Sequence, residues 1–268
     1  MNPLRRVFLT VRVGLAGLAF LGTWIGCLLI GTILVPLSRW RHRGLPVFEQ
    51  AAACQRWLQR GFVLLCDFMR VCGLLHFNPR GIDGLPSGSR YVMVANHPTL
   101  VDVAALVAVF GRVTCIAKTA LFRSPVMGGV LRACAYLDGG DGSPFGGAFV
   151  LPQAMERLEA GMPVLVFPEG TRSPLGGLHP FRRGAFEIAC RANVDVLPVL
   201  IRCDPPALGK GRPWYDIPPS TAFLTIKPLP PMRPSEYSGD AGMMAAAFEA
   251  TCRRHLGLPP HNETKPHE

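Results

Sequence analysis

"VMVANHPTLVDVAALVAVF", residues 92–110, sets the fold class. An apolar β-type run over residues 91–95 stops at Asn96-His97-Pro98, and a helix-type run begins near Thr99. Strand, turn and helix in that order form the unit of an α/β domain. The same alternation continues downstream. Apolar runs at 113–117, 136–137, 164–167, 196–201 and 222–227 are separated by helix-type stretches at 125–134, 147–160 and 183–192, after the one at 99–110. The expectation is an α/β fold with a mostly parallel mixed sheet flanked by helices.

Upstream the chain changes character. Residues 13–38, "VGLAGLAFLGTWIGCLLIGTILVPLS", carry no charge, and about 20 apolar residues suffice to cross a hydrocarbon core. Arg5 and Arg6 ahead of such a run also fit a signal peptide, but the run is long and is followed by arginines, not by a small-residue cleavage site. A membrane-anchoring helical segment is therefore expected over residues 1–46. Three arginines on each side (Arg5, Arg6, Arg12; Arg39, Arg41, Arg43) give no orientation. The segment either spans, or re-enters with a bend at Gly22-Thr23 or Gly26. Residues 47–77 read as amphipathic helix, either interfacial or core-facing. Residues 78–258 make up the main domain, opened by the turn-rich "NPRGIDGLPSGSR" (78–90), and 259–268 a disordered tail.

The 268 residues carry a formal net charge of +10. Of this, +8 falls in residues 1–80, where ten arginines face Glu49 and Asp67. Because those arginines flank the most apolar stretch, anionic lipid headgroups are the expected partner. Nucleic acid is not, since no recognition module or basic-aromatic stripe is present. Nine cysteines, an odd number with no C-x-x-C pair and no grouping with histidine, read as core residues in a reducing compartment. No metal site is expected.

Two stretches carry chemistry. In the first, Asp102 has a bland reading, in which Thr99 caps a helix and Asp102 completes a capping box. It has a second reading as partner of His97. Five residues apart on one helix, the two side chains would point about 140° apart. They meet only if His97 precedes the helix, as Pro98 favours. Asp102 would then fix the imidazole tautomer and leave the other ring nitrogen as a general base. The second stretch is "VLVFPEGTRSPLGGLHPFRRGAFEIA", residues 164–189. A buried strand ends in the turn Phe167-Pro168-Glu169-Gly170-Thr171-Arg172-Ser173, whose amides and arginine suit a phosphate or carboxylate. The bland alternative is a solvated Arg172 paired to Glu169. Arg182 and Arg183 sit at a helix start, against its dipole, which points to an anion nearby.

Together these stretches resemble the glycerolipid acyltransferase family, the lysophosphatidate acyltransferase-like enzymes. "NHPTLVD" is similar to its N-H-x4-D block at Asn96, His97 and Asp102, and "FPEGTRS" is similar to its second block without a change. "CIAKTALFRSPVMGGVLRACAYLD" resembles the segment between them, including Lys118, and "FRRGAFEIA" and "VLPVLI" resemble later blocks. The resemblance covers about residues 75–230 and makes 78–258 an acyltransferase domain. It implies acyl transfer from an acyl-CoA or acyl carrier protein thioester, as co-substrate, to the hydroxyl of a lysophospholipid, 1-acylglycerol 3-phosphate first, with no other cofactor. His97 would be the base and Asp102 its orienting partner. Asn96, Lys118, Glu169, Gly170, Thr171 and Arg172 would hold substrate. The implied location is the inner (cytoplasmic) membrane, with the site facing the cytoplasm. No enzyme nucleophile is needed, in keeping with the lack of a G-x-S-x-G elbow. One departure stands out: after Asp138 comes Gly139, where many phosphate-using members of the family it resembles carry arginine. This leaves open a non-phosphate lyso-lipid as acceptor. A non-catalytic, membrane-tethered lipid-binding protein is a further alternative, against which the intact His97, Asp102, Glu169 and Arg172 speak.

Overall fold

A computed structural model describes residues 3–79, 90–140 and 146–260. Most of the turn-rich stretch 78–90, and all but the first two residues of the tail expected from 259, lie outside the described residues.

The uncharged N-terminal stretch is one long helix. Helix α1 (Pro3–Leu29) passes through a π-helical turn at Ile30–Leu34 into α2 (Val35–Arg41). Pro36 lacks the N–H that an α-helix would aim at Thr32 O, and the wider turn just before it takes up the mismatch. The 39 residues 3–41 form a continuous rod about 58 Å long at 1.5 Å per residue. No bend occurs at Gly22-Thr23 or Gly26, where the re-entrant alternative placed it. Thr23 Oγ1 donates to Ala19 O inside the helix at 2.8 Å, and the chain reverses at 42–46 instead. Helix α3 (Val47–Val71) then returns beside α1 and α2. The N-terminal half of α3 is buried all round at Ala51, Ala52, Ala53, Cys54 and Gln55, and Leu58 and Met69 continue the contact further along, while Leu64 and Val71 stay exposed. Residues 75–77, expected to end this helix, are strand instead. The alternation Leu75-His76-Phe77-Asn78 takes over as β1 (Leu75–Pro79), an edge strand paired to β7.

The remaining strands are β2 (Tyr91–Ala95), β3 (Thr114–Ala117), β4 (Leu137–Asp138), β5 (Val164–Val166), β6 (Asp195–Asp204) and β7 (Ala222–Pro228). They form one seven-stranded sheet in the order β1-β7-β6-β2-β5-β3-β4. Every neighbouring pair is parallel except β6–β7. The helices between them are α4 (Asp102–Phe110), α5 (Thr119–Phe122), α6 (Gly128–Ala133), α7 (Gly146–Glu159) and α8 (Gly184–Ala192). The fold is thus the α/β mixed sheet expected. A further helix, α9 (Ala241–Leu256), was not among the helical stretches read from the sequence. Asp240 caps it, accepting the N–H groups of Gly242 and Met243.

The sheet is covered on both faces, which is why its central strands read as unbroken apolar runs. Met93, Ala95, Leu197, Val199 and Ile201 face the layer of α1, α3, α4 and α6, whereas Val92, Val94 and Val196 face α7, α8 and α9. Val92 through Ala95 are all fully buried, and truncating Met93 to alanine would cost about 2–5 kcal/mol. Because β6, β2, β5, β3 and β4 run parallel, their C-terminal ends share one edge, where open α/β sheets place their ligands.

Candidate active site

Strand β2 ends at Ala95, and Asn96 carries its pairing one step further. Asn96 Nδ2 donates to Ile201 O at 2.8 Å, and Oδ1 accepts the Ile201 N–H at 2.7 Å. Completely buried on β6, Asn96 fixes where the following His97 stands. Its amide meets backbone and not the cavity, so the substrate contact expected of it becomes a positioning role.

After Pro98 the chain turns over Thr99, and α4 begins at Asp102 with Val101 in the capping position. Thr99 is therefore not the helix cap. Asp102 nonetheless closes this turn: Oδ2 accepts the Thr99 N–H at 2.8 Å and Oδ1 accepts the Thr99 hydroxyl. Oδ2 also lies 2.7 Å from His97 Nδ1. The bland and the functional readings of Asp102 thus hold together, one carboxylate closing the turn and orienting the ring. Asp102 is fully buried. Burial pushes its carboxyl up, against the lowering pull of the bonds from His97 and Thr99. With Nδ1 turned to Asp102, Nε2 of His97 is the nitrogen left for the cavity that the residue lines. The ring stacks on Phe167, centroids 4.1 Å apart and planes 21° from parallel.

The second block leaves β5 at Val166. Gly170 N–H donates to Phe167 O at 3.0 Å, closing the turn. Glu169 points inward, not toward Arg172. Its Oε1 accepts the His97 N–H at 3.1 Å and the Ser173 hydroxyl at 2.6 Å, and its Oε2 accepts the His179 N–H at 2.9 Å. The Ser173 N–H returns a bond to His97 O at 2.7 Å. Glu169, expected to hold substrate, is buried with both oxygens on protein donors, so it positions His97. Arg172 Nη1 donates to the carbonyls of Leu208 and Gly209, both at 3.2 Å, tying the β6–β7 loop to this turn.

A cavity of about 1200 Å³ opens along this edge. His97, Lys118, Gly170, Thr171 and Arg172 line its polar end, with Arg182 and Lys210 beside them. Its other end is apolar, walled by α1 (Ala16, Phe20, Trp24) and α3 (Leu58, Phe62, Leu65). Phe20 of α1 stacks on Trp214 of the β6–β7 loop at 5.6 Å and 9°. Of the two cationic additions, Arg182 stood out in the sequence only as one of two arginines before α8, and Lys210 carried no signal.

Gly139 also lines the cavity. A Cβ there would sit 2.8 Å from Ile116 Cγ2 and 3.2 Å from Ala117 O, so this backbone has no room for an arginine. Asp138 beside it accepts the Thr119 hydroxyl and the Gly140 N–H, holding the end of β4 to the residue after Lys118. Cys115 borders the cavity, but burial pushes its thiol to about 12, which makes it a poor nucleophile. Among the described residues no group of three or more His, Cys, Asp or Glu is placed to hold a metal.

Residues 76–202 match the family model described as Acyltransferase. The chain is 34% identical over 123 residues to a chloroplastic 1-acyl-sn-glycerol-3-phosphate acyltransferase of Brassica napus, covering 46% of this chain and 36% of that protein. It is 35% identical over 128 residues to 1-acyl-sn-glycerol-3-phosphate acyltransferase alpha of Homo sapiens, covering 46% and 44%. It therefore spans less than half the length of these two relatives. The crystal structure of the 1-acyl-sn-glycerophosphate (LPA) acyltransferase PlsC from Thermotoga maritima superposes with a TM-score of 0.71. That match covers 98% of this chain and 100% of that one at 19% identity, a likeness of fold.

Proposed function

We propose, from the match of residues 76–202 to the Acyltransferase family model, that the chain transfers a fatty acyl group from an acyl-CoA or acyl carrier protein thioester to the hydroxyl of 1-acylglycerol 3-phosphate, giving phosphatidate. One observation carries this reading: a histidine held at 2.7 Å by a fully buried carboxylate, at the mouth of a cavity that is cationic at one end and apolar at the other.

In this reading His97 Nε2 takes the proton of the acceptor hydroxyl as its oxygen attacks the thioester carbonyl. The buried Asp102 carboxylate holds the ring in place and stabilises the imidazolium as it forms. The tetrahedral intermediate collapses, the C–S bond breaks, and the leaving thiolate takes the proton from His97. No acyl-enzyme forms. A thioester is already activated, so one positioned base, worth a typical factor of about 10²–10⁴, with proximity, carries much of the rate. The cations of the polar end hold the headgroup, and the apolar end takes the acyl chains. The long N-terminal helix sits in the inner membrane with the site toward the cytoplasm, where thioester donors are made. Only 22% of its most apolar window is buried in the protein, which supports contact with lipid. The fixing of Arg12 supports a helix lying along the protein body over one crossing the bilayer at that point: its Nη1 and Nη2 donate to Gly73 O at 2.8 Å and Ser220 O at 3.1 Å.

The crowding at Gly139 favours a second acceptor class, a lyso-lipid without a free phosphate, since no arginine can stand there. The test is a competition between 1-acylglycerol 3-phosphate and an uncharged or zwitterionic lyso-lipid, each offered with acyl-CoA and with acyl carrier protein, the products read by mass spectrometry. Phosphatidate as the main product supports the leading reading. Acylation of the other lipid alone moves the function to the second, and no acylation of either contradicts both.

A further inference from the structure

A second cavity, of about 420 Å³, lies on the other side of the sheet, over β6 and β7. Ala222, Leu224 and Ile226 of β7 are fully buried in the layer that holds α1 and α3. The alternation of a strand therefore turns Phe223, Thr225 and Lys227 to the opposite face, where Leu200, Arg202 and Asp204 of β6 join them. This face is open along the outer strands: Phe223 is 50% exposed, and Arg202, Asp204 and Lys227 are exposed as well. Helix α9 ends beside it at Leu256, and His255 of its last turn lines the cavity.

The antiparallel register arranges these side chains in three rows. Asp204 lies opposite Phe223, Arg202 opposite Thr225 and Leu200 opposite Lys227, with successive rows about 7 Å apart. In the first row the ring of His76, from β1, stands 5.5 Å from that of Phe223 at 47°, so an aromatic corner sits next to a carboxylate. The second row offers a guanidinium and a hydroxyl, and the third an ammonium beside an apolar floor. Among the described residues the side chains of Arg202, Asp204, Thr225 and Lys227 have no hydrogen-bond or ion-pair partner. His255 Nδ1 lies 2.9 Å from Thr251 O, which leaves its Nε2.

We infer that this cavity is a nucleoside-phosphate site. The base stacks on Phe223, Asp204 accepts from the ribose hydroxyls, and Arg202, Lys227 and His255 hold the phosphates. Base, sugar and phosphates follow one another in a nucleotide as ring, acid and cations follow one another along these strands. The volume lies within the range of about 300–1,000 Å³ usual for small-ligand sites. Lipid headgroups do not fit, because the exposed apolar helix α1 is on the opposite face of the sheet. Two sources carry the same chemistry, a free nucleotide and the adenosine end of coenzyme A, and only the second rests on the acyl-transfer reading above. The two cavities share a strand: Ile201, between Leu200 and Arg202, is the residue that holds Asn96 beside His97.

Calorimetric titration of the full-length protein in detergent micelles with ADP tests this. Wild-type protein should bind ADP saturably. Arg202→Gln and Lys227→Gln should each weaken binding about 10–150-fold, the range for a charge-assisted bond, and Phe223→Ala about 5–150-fold, the range for a lost stacking partner, at unchanged melting temperature. Arg202→Lys, which keeps the charge, should recover part of the loss. Absence of saturable ADP binding overturns the inference, as does equal binding by all the variants. A Phe223→Ala variant that binds ADP like wild type also overturns it, leaving a basic patch with no place for a base. Coenzyme A then separates the sources: displacement of ADP supports the site as part of donor binding, and ADP binding that coenzyme A leaves untouched supports it as the site of a free nucleotide. No turnover is read, so a protein that makes no phosphatidate defeats the acyl-transfer reading while ADP binding still decides this one.

Discussion

Glu169 Oε1 accepts the backbone N–H of His97 at 3.1 Å, so one buried carboxylate joins two sequence blocks 72 residues apart. Its other oxygen takes the His179 N–H and its first also takes the Ser173 hydroxyl. Replacing Glu169 with glutamine puts an amide N–H₂ among donors and leaves at least one unpaired. We expect a loss of about 1–3 kcal/mol in stability, seen as a lower melting temperature. Activity should fall through kcat more than through the acceptor KM, because His97 shifts while the headgroup cations stay. A KM effect alone would return Glu169 to the substrate.

Asp102 gives a prediction in pH. Its folded carboxyl titrates above the ordinary value of 3.8 because burial disfavours the anion. In the window above 3.8 the folded protein therefore holds a proton that the unfolded chain has released, and stability falls as pH rises through that window. At lower pH both states are protonated and the effect vanishes. Asp102→Asn cannot ionise, so its melting temperature relative to wild type should climb between acid and neutral pH. Acyl transfer should meanwhile drop to a small residue, since tautomer control is lost but the imidazole remains. A constant difference in melting temperature across pH would contradict the account of Asp102.

Much of this was legible in the sequence for physical reasons. Strands such as β2 and β6 are buried on both faces and write themselves as continuous apolar runs. His97 and Asp102 were readable as a pair because proline and the helical repeat restrict how they can meet. Other features depend on distant partners. The residues of β1 continue an apolar helix, and only β7, almost 150 residues later, makes them strand. A carboxylate in a turn reads the same whether it faces substrate or, like Glu169, two loops of its own chain. Arg172 likewise gave no sign that its acceptors are carbonyls at 208 and 209. Whether the N-terminal segment bends was open in the sequence, because glycines in an apolar helix are tolerated where nothing else stops it. The start of α9 was open to reading, since Asp240 is a capping residue and Gly257 ends the helix.

The N-terminal helix carries exposed Val11, Leu18, Leu21, Ile25, Leu28 and Leu29 on its surface. We expect the protein to remain with membranes in 1 M salt, where the Debye length is about 3 Å and arginine–lipid attraction is screened while apolar burial is not. Detergent should release it. Sedimentation after a salt wash checks this, and release of intact protein by salt alone would reduce the helix to a peripheral contact.

The most direct measurement is the phosphatidate formed from 1-acylglycerol 3-phosphate and an acyl thioester by purified wild-type and His97→Ala protein of equal melting temperature. The account predicts turnover by the wild type and a loss of about 10²–10⁴-fold in the variant, the contribution of a positioned general base. Retention of more than about a tenth of wild-type turnover, well above what removal of such a base should leave, would contradict it.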